Sequence, residues 1–119
     1  MEQLNRIELK GTIGNAHPTK VGVSVCVRFS VATNYVYRDM DGNPIIETTW
    51  HDCTLFTDSD TAETIKKGRF IHLLGRLRNQ RYTDCDGVEK HNIDILVYKV
   101  LSIQEIEHGC YPQFQRAEQ

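Results

Sequence analysis

Residues 21–31, VGVSVCVRFSV, decide the fold because apolar side chains alternate there with small or polar ones over the whole segment. Successive side chains of an extended strand point to opposite faces, so the five valines and Phe29 share one side. An α-helix turns every 3.6 residues and does not produce a two-residue alternation. The segment therefore predicts a β-strand with one buried face.

The residues after this strand predict a hairpin. The strand pattern continues to Arg38 and stops at residues 39–44, DMDGNP, in which Asp-Gly and Asn-Pro both favour turns. A return strand begins at Ile45 and includes ETTWHDCTLF at residues 47–56. We expect the hairpin tip at Asp41-Gly42.

The segment ETTWHDCTLF has two dissimilar faces. By the same alternation, His51, Cys53 and Leu55 share a face that is small and apolar enough to be buried. The other face carries two large rings beside an aspartate and a threonine: Trp50, Asp52, Thr54 and Phe56. This mixture is not typical of a core, so we interpret the Trp50 face as the working surface of the protein.

The remaining residues predict three more strands and one short helix. The strands are residues 4–14, 69–82 and 91–100, with a loop at residues 15–20 and a hairpin turn at residues 84–87. Leu101, Ile103 and Ile106 are expected to extend the last strand beyond an irregularity near Lys99. Residues 57–68 predict the helix, because Asp60 and Glu63 have capping-box spacing and Gly68 can end it as a left-handed cap.

Five strands, with the helix between the third and the fourth, predict an all-β fold. This is the plan of the OB-fold, a five-stranded Greek-key barrel that often binds oligonucleotides or oligosaccharides. We expect one such domain over residues 1–106, followed by a short flexible tail at residues 107–119.

Composition limits the function classes. The net charge is −2, but residues 66–81 carry six Lys or Arg and no acid. A local basic track is therefore compatible with the slightly negative net charge of the whole chain. The first residues lack a signal-peptide pattern and no apolar run could cross a bilayer, so we expect a cytoplasmic protein without a membrane segment. The four cysteines form no Cys-x-x-Cys pair, so we expect reduced thiols.

An enzyme, a metal site and a bound cofactor are not indicated. His51 and Asp52 are adjacent in a strand and face opposite ways, so they cannot form a catalytic dyad. The histidines lack metal-ligand spacing, and there is no phosphate-binding glycine loop of the Walker or dinucleotide type. We expect a protein that binds without catalysis.

Aromatic and basic residues favour binding to a single nucleic-acid strand. The rings are Tyr37, Trp50, Phe56 and Tyr82, and the cations close to them in sequence are Arg38, Arg78, Arg81 and Lys90. Bases stack on aromatic rings with little sequence preference, while cations follow the phosphates. The alternative is that some of these rings belong to the core or are exposed tyrosines without a role.

Several blocks of the chain resemble the bacterial single-stranded DNA-binding protein family over residues 4–104. They are LNRIELKG at 4–11 with IG at 13–14, FSVATN at 29–34, ETTWH at 47–51, KG at 67–68, GRLR at 75–78, and YTD at 82–84 before DGVE at 86–89. The resemblance implies an OB-fold subunit, usually of a homotetramer, that binds and protects single-stranded DNA in replication, recombination, repair or mobile-element transfer at the nucleoid.

The resemblance also assigns roles to residues. It implies base stacking by the same four aromatics, with tyrosine at two positions where relatives often have tryptophan. Phosphate contacts fall on Lys67, Arg78, Arg81 and Lys90, and a subunit-interface role falls on His51.

This chain departs from the family at three places. Asp52 and Asp58 stand where relatives are often basic, and the loop between the first two strands is short. The chain ends without the acidic, phenylalanine-containing tip through which relatives recruit replication and repair enzymes. We therefore expect any such protein partners to be bound by another route, as in a compact accessory protein of a phage or mobile element. The rival functions are a dimeric primosome adaptor that acts through protein contacts and an RNA-binding OB domain.

Overall fold

The computed structural model describes residues 1–105 and contains a closed barrel of five strands. The elements are β1 Ile7–Val21, β2 Ser24–Arg38, β3 Pro44–Thr57, α1 Ser59–Thr64, β4 Arg69–Thr83 and β5 Glu89–Glu105. The strands follow the order β1-β2-β3-β5-β4 around the barrel, and β3 pairs with β5 in parallel while the other pairs are antiparallel. This is the predicted OB-fold, with the helix between the third and fourth strands. Ile106 and the predicted tail at 107–119 lie outside the described residues.

The core fills the inside of the barrel with side chains from all five strands. Val25, Val27, Phe29 and Val31 of β2 are buried, which confirms the alternation predicted for that strand. The other large members of the core are Leu9, Ile13, Leu55, Ile65, Ile71, Leu73, Ile95 and Val97. Because burial of apolar surface is the main favourable contribution to folding, this alternation specifies which face of each strand points inward.

The predicted loop at residues 15–20 is wrong, because β1 continues to Val21 and forms a tight hairpin with β2. The turn is made at Gly22, whose positive φ of 64° suits glycine. Within residues 1–105, β1 beyond Thr12 pairs only with β2, so its other edge is open and tolerates Pro18. Strand β2 accordingly begins at Ser24, and Val21 and Val23 are exposed instead of buried.

The helix is shorter than predicted and begins at a different cap. Asp58, not Asp60, is the N-cap: its Oδ1 accepts a hydrogen bond from the Thr61 backbone N–H at 2.7 Å. That bond lowers the pKa of Asp58. The helix ends at Thr64, so Gly68 is not its C-cap; Gly68 has a φ of 91° and donates its N–H to the Ile13 carbonyl at 2.8 Å.

Both long hairpins have the predicted turns. Gly42 and Gly87 have positive φ angles of 84° and 80° at the tips of the β2–β3 and β4–β5 hairpins. In each turn an aspartate, Asp39 or Asp84, accepts two backbone hydrogen bonds from the residues that follow it. The predicted irregularity near Lys99 is confirmed as a register shift between β4 and β5.

Candidate nucleic-acid interface

One continuous outer face is formed by β2 and β3. Their register runs from Val25 with Thr57 to Arg38 with Pro44 without a shift, so residues of equal parity stay on one side of both strands. The outer β2–β3 face consists of Cys26, Arg28, Ser30 and Ala32 of β2 opposite Phe56, Thr54, Asp52 and Trp50 of β3. This is the face that the sequence indicated as the working surface.

Trp50 lies on the backbone of β1 at Gly14. A Cβ atom at position 14 would collide with the six-membered ring of Trp50 and would lie 2.9 Å from the Ser30 Oγ. Gly14 and Asn15 form the bulge in β1, where the register with β2 shifts, and the Asn15 N–H donates to the Ser30 Oγ at 3.1 Å. The bulge therefore holds the indole in a fixed position, and only glycine at position 14 leaves room for the ring.

Phe56 is the second ring on this face. It is 55% exposed and stands directly opposite Cys26. Six residues separate it from Trp50, a span of about 20 Å along a strand. Two rings at this spacing can contact separate bases of one extended strand.

The two tyrosines of the predicted site lie elsewhere. Tyr82 is 52% exposed near the tip of the β4–β5 hairpin, on the same side of β4 as Arg78. Tyr37 pairs with Ile45 and therefore lies on the opposite side of the β2–β3 ribbon from Trp50, where its ring centroid is 6.0 Å from that of Tyr35. The structure thus places Tyr37 away from the surface that carries Trp50 and Phe56.

Arg78 is held in a hydrogen-bonded network. Its Nε and Nη2 donate to Oδ1 and Oδ2 of Asp94 at 3.0 and 2.8 Å, and the Thr54 hydroxyl donates to Asp94 Oδ2 at 2.7 Å. The bond to Arg78 lowers the pKa of Asp94, and the same bond raises the pKa of Arg78. Thr54 and Asp94 are both 5% exposed, so Thr54 is a buried member of the outer face.

The other predicted cations are exposed, and three of them lie next to an acid or a carbonyl of their own hairpin. Arg38 Nη1 donates to the Gly42 carbonyl at 2.6 Å. Arg81 lies 4.0 Å from Glu89, Lys90 lies 3.5 Å from Asp84, and Lys67 follows the helix. Exposed ion pairs of this kind contribute little to stability, so these cations can exchange their partner for a phosphate.

Sequence reasoning missed Arg28. This arginine is exposed on the outer β2–β3 face directly opposite Thr54. Its side chain forms no hydrogen bond or salt bridge within residues 1–105, although its charge contributes to the lowered pKa of Asp94. The alternation of β2 contained the signal, because it placed Arg28 on the side away from the valines. Arg28 is the cation nearest in register to both Trp50 and Phe56.

The other side of β3 carries His51 and Cys53. His51 Nε2 and Thr33 Oγ1 form a hydrogen bond of 2.9 Å, and burial lowers the pKa of His51. Burial also raises the pKa of Cys53 to about 12, so this thiol is unreactive at neutral pH. Cys26, Cys53 and Cys85 are free thiols, and Cys110 lies outside the described residues. The interface role of His51 stays a prediction.

Residues 1–105 contain no group of three or more His, Cys, Asp or Glu side chains that could hold a metal ion. In the same range, no helix has the length and apolar character required to span a bilayer.

Comparison with known proteins identifies one family, on which the family model and the curated relatives agree. A family model described as the single-strand binding protein family matches residues 4–103. The single-stranded DNA-binding protein of Xanthomonas axonopodis pv. citri is 36% identical over 98 residues, which cover 78% of this chain and 54% of the relative. The protein of that name from Neisseria meningitidis serogroup A is 32% identical over 98 residues, with 56% of the relative covered. The chain thus spans little more than half the length of these curated relatives.

Solved structures share the barrel. A Plasmodium falciparum SSB complex with ssDNA has a TM-score of 0.68 and 26% identity, and the match covers 81% of this chain and 88% of that one. The single-stranded DNA-binding protein of Thermus aquaticus, in a deletion mutant, has a TM-score of 0.64 over 83% of this chain and 51% of that one. The second protein is 20% identical, so its likeness concerns the fold alone.

Proposed function

The chain belongs to the single-strand binding protein family, and we propose that it binds and protects single-stranded DNA without catalysing a reaction. The observation that carries this proposal is the outer β2–β3 face, where Trp50 and Phe56 stand in line with the unbonded Arg28. The relatives named for single-stranded DNA binding support it.

The proposed contacts divide between bases and backbone. Bases stack on Trp50, Phe56 and Tyr82, because each ring offers a π-surface that any base can cover. Arg28 and the exposed cations of the two hairpins attract the phosphates, and their contacts release counterions. Arg78 contributes indirectly, by holding Asp94 next to Thr54 of the outer β2–β3 face. Tyr37 takes part only where the DNA strand passes over the other side of the β2–β3 ribbon.

A tryptophan substitution tests the proposal. Oligo(dT) should quench the fluorescence of Trp50, the single tryptophan of the chain, and Trp50→Ala should weaken binding by about 1–3 kcal/mol. Binding of the variant is measured by anisotropy of a labelled oligonucleotide. Affinity should also fall as salt rises.

Tyr35→Ala provides the matched control, because Tyr35 is an exposed ring on the opposite side of the same ribbon. It should leave affinity within about 0.5 kcal/mol of wild type. Equal losses in the two variants, or no binding of oligo(dT) by the wild type at low salt, would contradict the proposed function. In the latter case a primosome-type adaptor function would become the better explanation.

The proposal extends to assembly and setting. We propose a homo-oligomer, a tetramer by analogy with the family, with His51 at the subunit interface, acting at the nucleoid in the cytoplasm during replication, recombination, repair or mobile-element transfer. The half-buried His51 ring on the side of β3 opposite to Trp50 leaves the DNA face free in such an assembly. Mass measurement in solution, with wild type and His51→Ala compared, tests it; a monomeric wild type would contradict it.

A further inference from the structure

Asp52 is an acid placed where a DNA-binding surface would be expected to carry a cation. It is exposed on the outer β2–β3 face, directly opposite Ser30 and two residues from Trp50. Its side chain forms no hydrogen bond or salt bridge within residues 1–105. An ionised carboxylate repels phosphates, so a contact between Asp52 and the backbone of DNA is unfavourable.

The Asp52 carboxylate lies within reach of the edge of a base stacked on Trp50. Side chains at positions i and i+2 of a strand are about 7 Å apart on the same face. A base that stacks on the Trp50 indole can therefore place one of its edges within reach of Asp52. In single strands this edge is not engaged in pairing and its hydrogen-bonding groups are open to a protein.

A cleft next to Asp52 offers room for that edge. Its volume is about 330 Å³, and its polar lining includes Asn15, Arg28, Ser30, Asp52, Thr54 and Asp94. Of the two carboxylates in this lining, Asp94 is occupied by Arg78 and Thr54, whereas Asp52 is not. His17 and Asn92 also line the cleft. Among its Asp and Arg side chains, those left for a ligand are one acceptor, Asp52, and one donor, Arg28, which is diagonal to it across the strand pair.

We propose that Asp52 accepts a hydrogen bond from the exocyclic amine of a base stacked on Trp50, and thereby favours cytosine over uracil or thymine. This rests on the proposed function. An ionised carboxylate only accepts hydrogen bonds. Cytosine presents an N4 amine where thymine and uracil present the O4 acceptor, which faces the carboxylate unfavourably. Arg28 can donate to the cytosine carbonyl, so the pair of side chains matches one donor and one acceptor on the same base.

The test compares oligo(dC) with oligo(dU) of equal length, because the two bases share ring size and lack the thymine methyl group. The ratio of the two affinities is measured by competition at fixed salt and mildly alkaline pH, where cytosine is neutral. Wild type, Asp52→Asn and Glu47→Gln are compared. Glu47 is an exposed acid on the opposite side of β3, so its variant removes the same charge from the same strand.

Asp52→Asn should lower the dC-to-dU ratio by about tenfold, the lower end for one hydrogen bond to a charged acceptor, because an amide can face either base. The lost repulsion should also raise affinity for oligo(dU), whereas oligo(dC) loses the hydrogen bond to the carboxylate as well. Glu47→Gln should leave the ratio unchanged. The expected result is thus a change in the dC-to-dU affinity ratio in Asp52→Asn but not in Glu47→Gln.

Three results would overturn the inference. A ratio that is the same in wild type and Asp52→Asn would mean that the carboxylate does not read the base, while the proposed function would stand. A ratio that falls equally in Glu47→Gln would assign the effect to overall charge. Failure of the wild type to bind either oligonucleotide would contradict the proposed function and this inference together.

Discussion

Two neighbouring groups on the outside of the barrel contain the same charged residue types in opposite states. In the bonded group, Arg78, Asp94 and Thr54 satisfy one another, and Asp94 is 5% exposed. In the open group, Arg28 and Asp52 lie between Trp50 and Phe56 on the outer β2–β3 face, and their side chains form no hydrogen bond or salt bridge within residues 1–105. An arginine bonded to a buried carboxylate, as Arg78 is, is therefore less available to a phosphate than an arginine whose partner is exposed or absent.

The strand register explains why the groups differ. The parallel pairing of β3 with β5 begins at Cys53, so Thr54 has Leu96 beside it and Asp94 within reach. Asp52 precedes that pairing and has β2 as its neighbour strand within residues 1–105. One group is therefore enclosed by three strands, and the other opens to solvent.

Arg78→Ala should give the largest loss of stability. It leaves the Asp94 carboxylate buried with the Thr54 hydroxyl as its remaining partner, and removal of one member of a buried ion pair costs about 3–5 kcal/mol. Because the Arg78 side chain is 23% exposed, we expect a cost below this range, about 2–3 kcal/mol. Urea unfolding measures it.

Arg76→Ala is the control for this prediction. Arg76 is exposed two residues earlier on β4, so its loss should change stability by no more than about 0.5 kcal/mol. The pH dependence gives a second check. The pKa of Asp94 is lowered in the folded state, so the stabilisation by Arg78 is present above the ordinary aspartate pKa and is lost as pH falls through the lowered value. A gap between wild type and variant that persists at the acid limit would contradict the ion-pair explanation.

Gly14→Ala should give the next largest effect, on DNA binding. The added Cβ collides with the Trp50 ring and displaces the ring from its position on β1. The affinity for oligo(dT) should therefore fall by about 1–2 kcal/mol, within the range for one stacked base. Anisotropy with a labelled oligonucleotide measures the loss. In a Trp50→Ala background the same substitution should cost almost nothing further, because the displaced ring is absent. An equal loss in both backgrounds would show that Gly14 acts on something other than Trp50.

Much of the fold could be predicted because strand alternation is a local signal. The valine alternation of β2 identified a buried face, and the turn chemistry of Asp41-Gly42 located the hairpin tip. The prediction of a loop at residues 15–20 was wrong because His17-Pro18 is typical of the end of a strand, whereas proline is tolerated on the open edge of β1. Whether an edge is open depends on strand pairing, which no local pattern contains.

The site was less predictable for the same reason. Arg78 and Arg28 look alike in sequence, and only the β4–β5 register, which sets Arg78 opposite Asp94, separates them. The sequence places Tyr37 with Trp50 among the candidate stacking residues because both are aromatic residues on strands near cations and both match positions of the family. The side that each ring occupies depends on the register across the turn, and that register puts them on opposite sides.

Arg28→Ala should give the smallest effect of the three, and it completes the comparison between the two groups. Arg28 is exposed and has no hydrogen bond or salt bridge within residues 1–105, so its loss should change the free energy of unfolding by less than about 0.5 kcal/mol. If it contacts one phosphate, the slope of log affinity against log salt should decrease by about 0.7. Arg78→Ala, in contrast, should leave that slope nearly unchanged, because its guanidinium is already bound to Asp94. The reverse pattern, with the slope sensitive to Arg78 and not to Arg28, would mean that DNA displaces Asp94 and that the bonded group is the true phosphate contact.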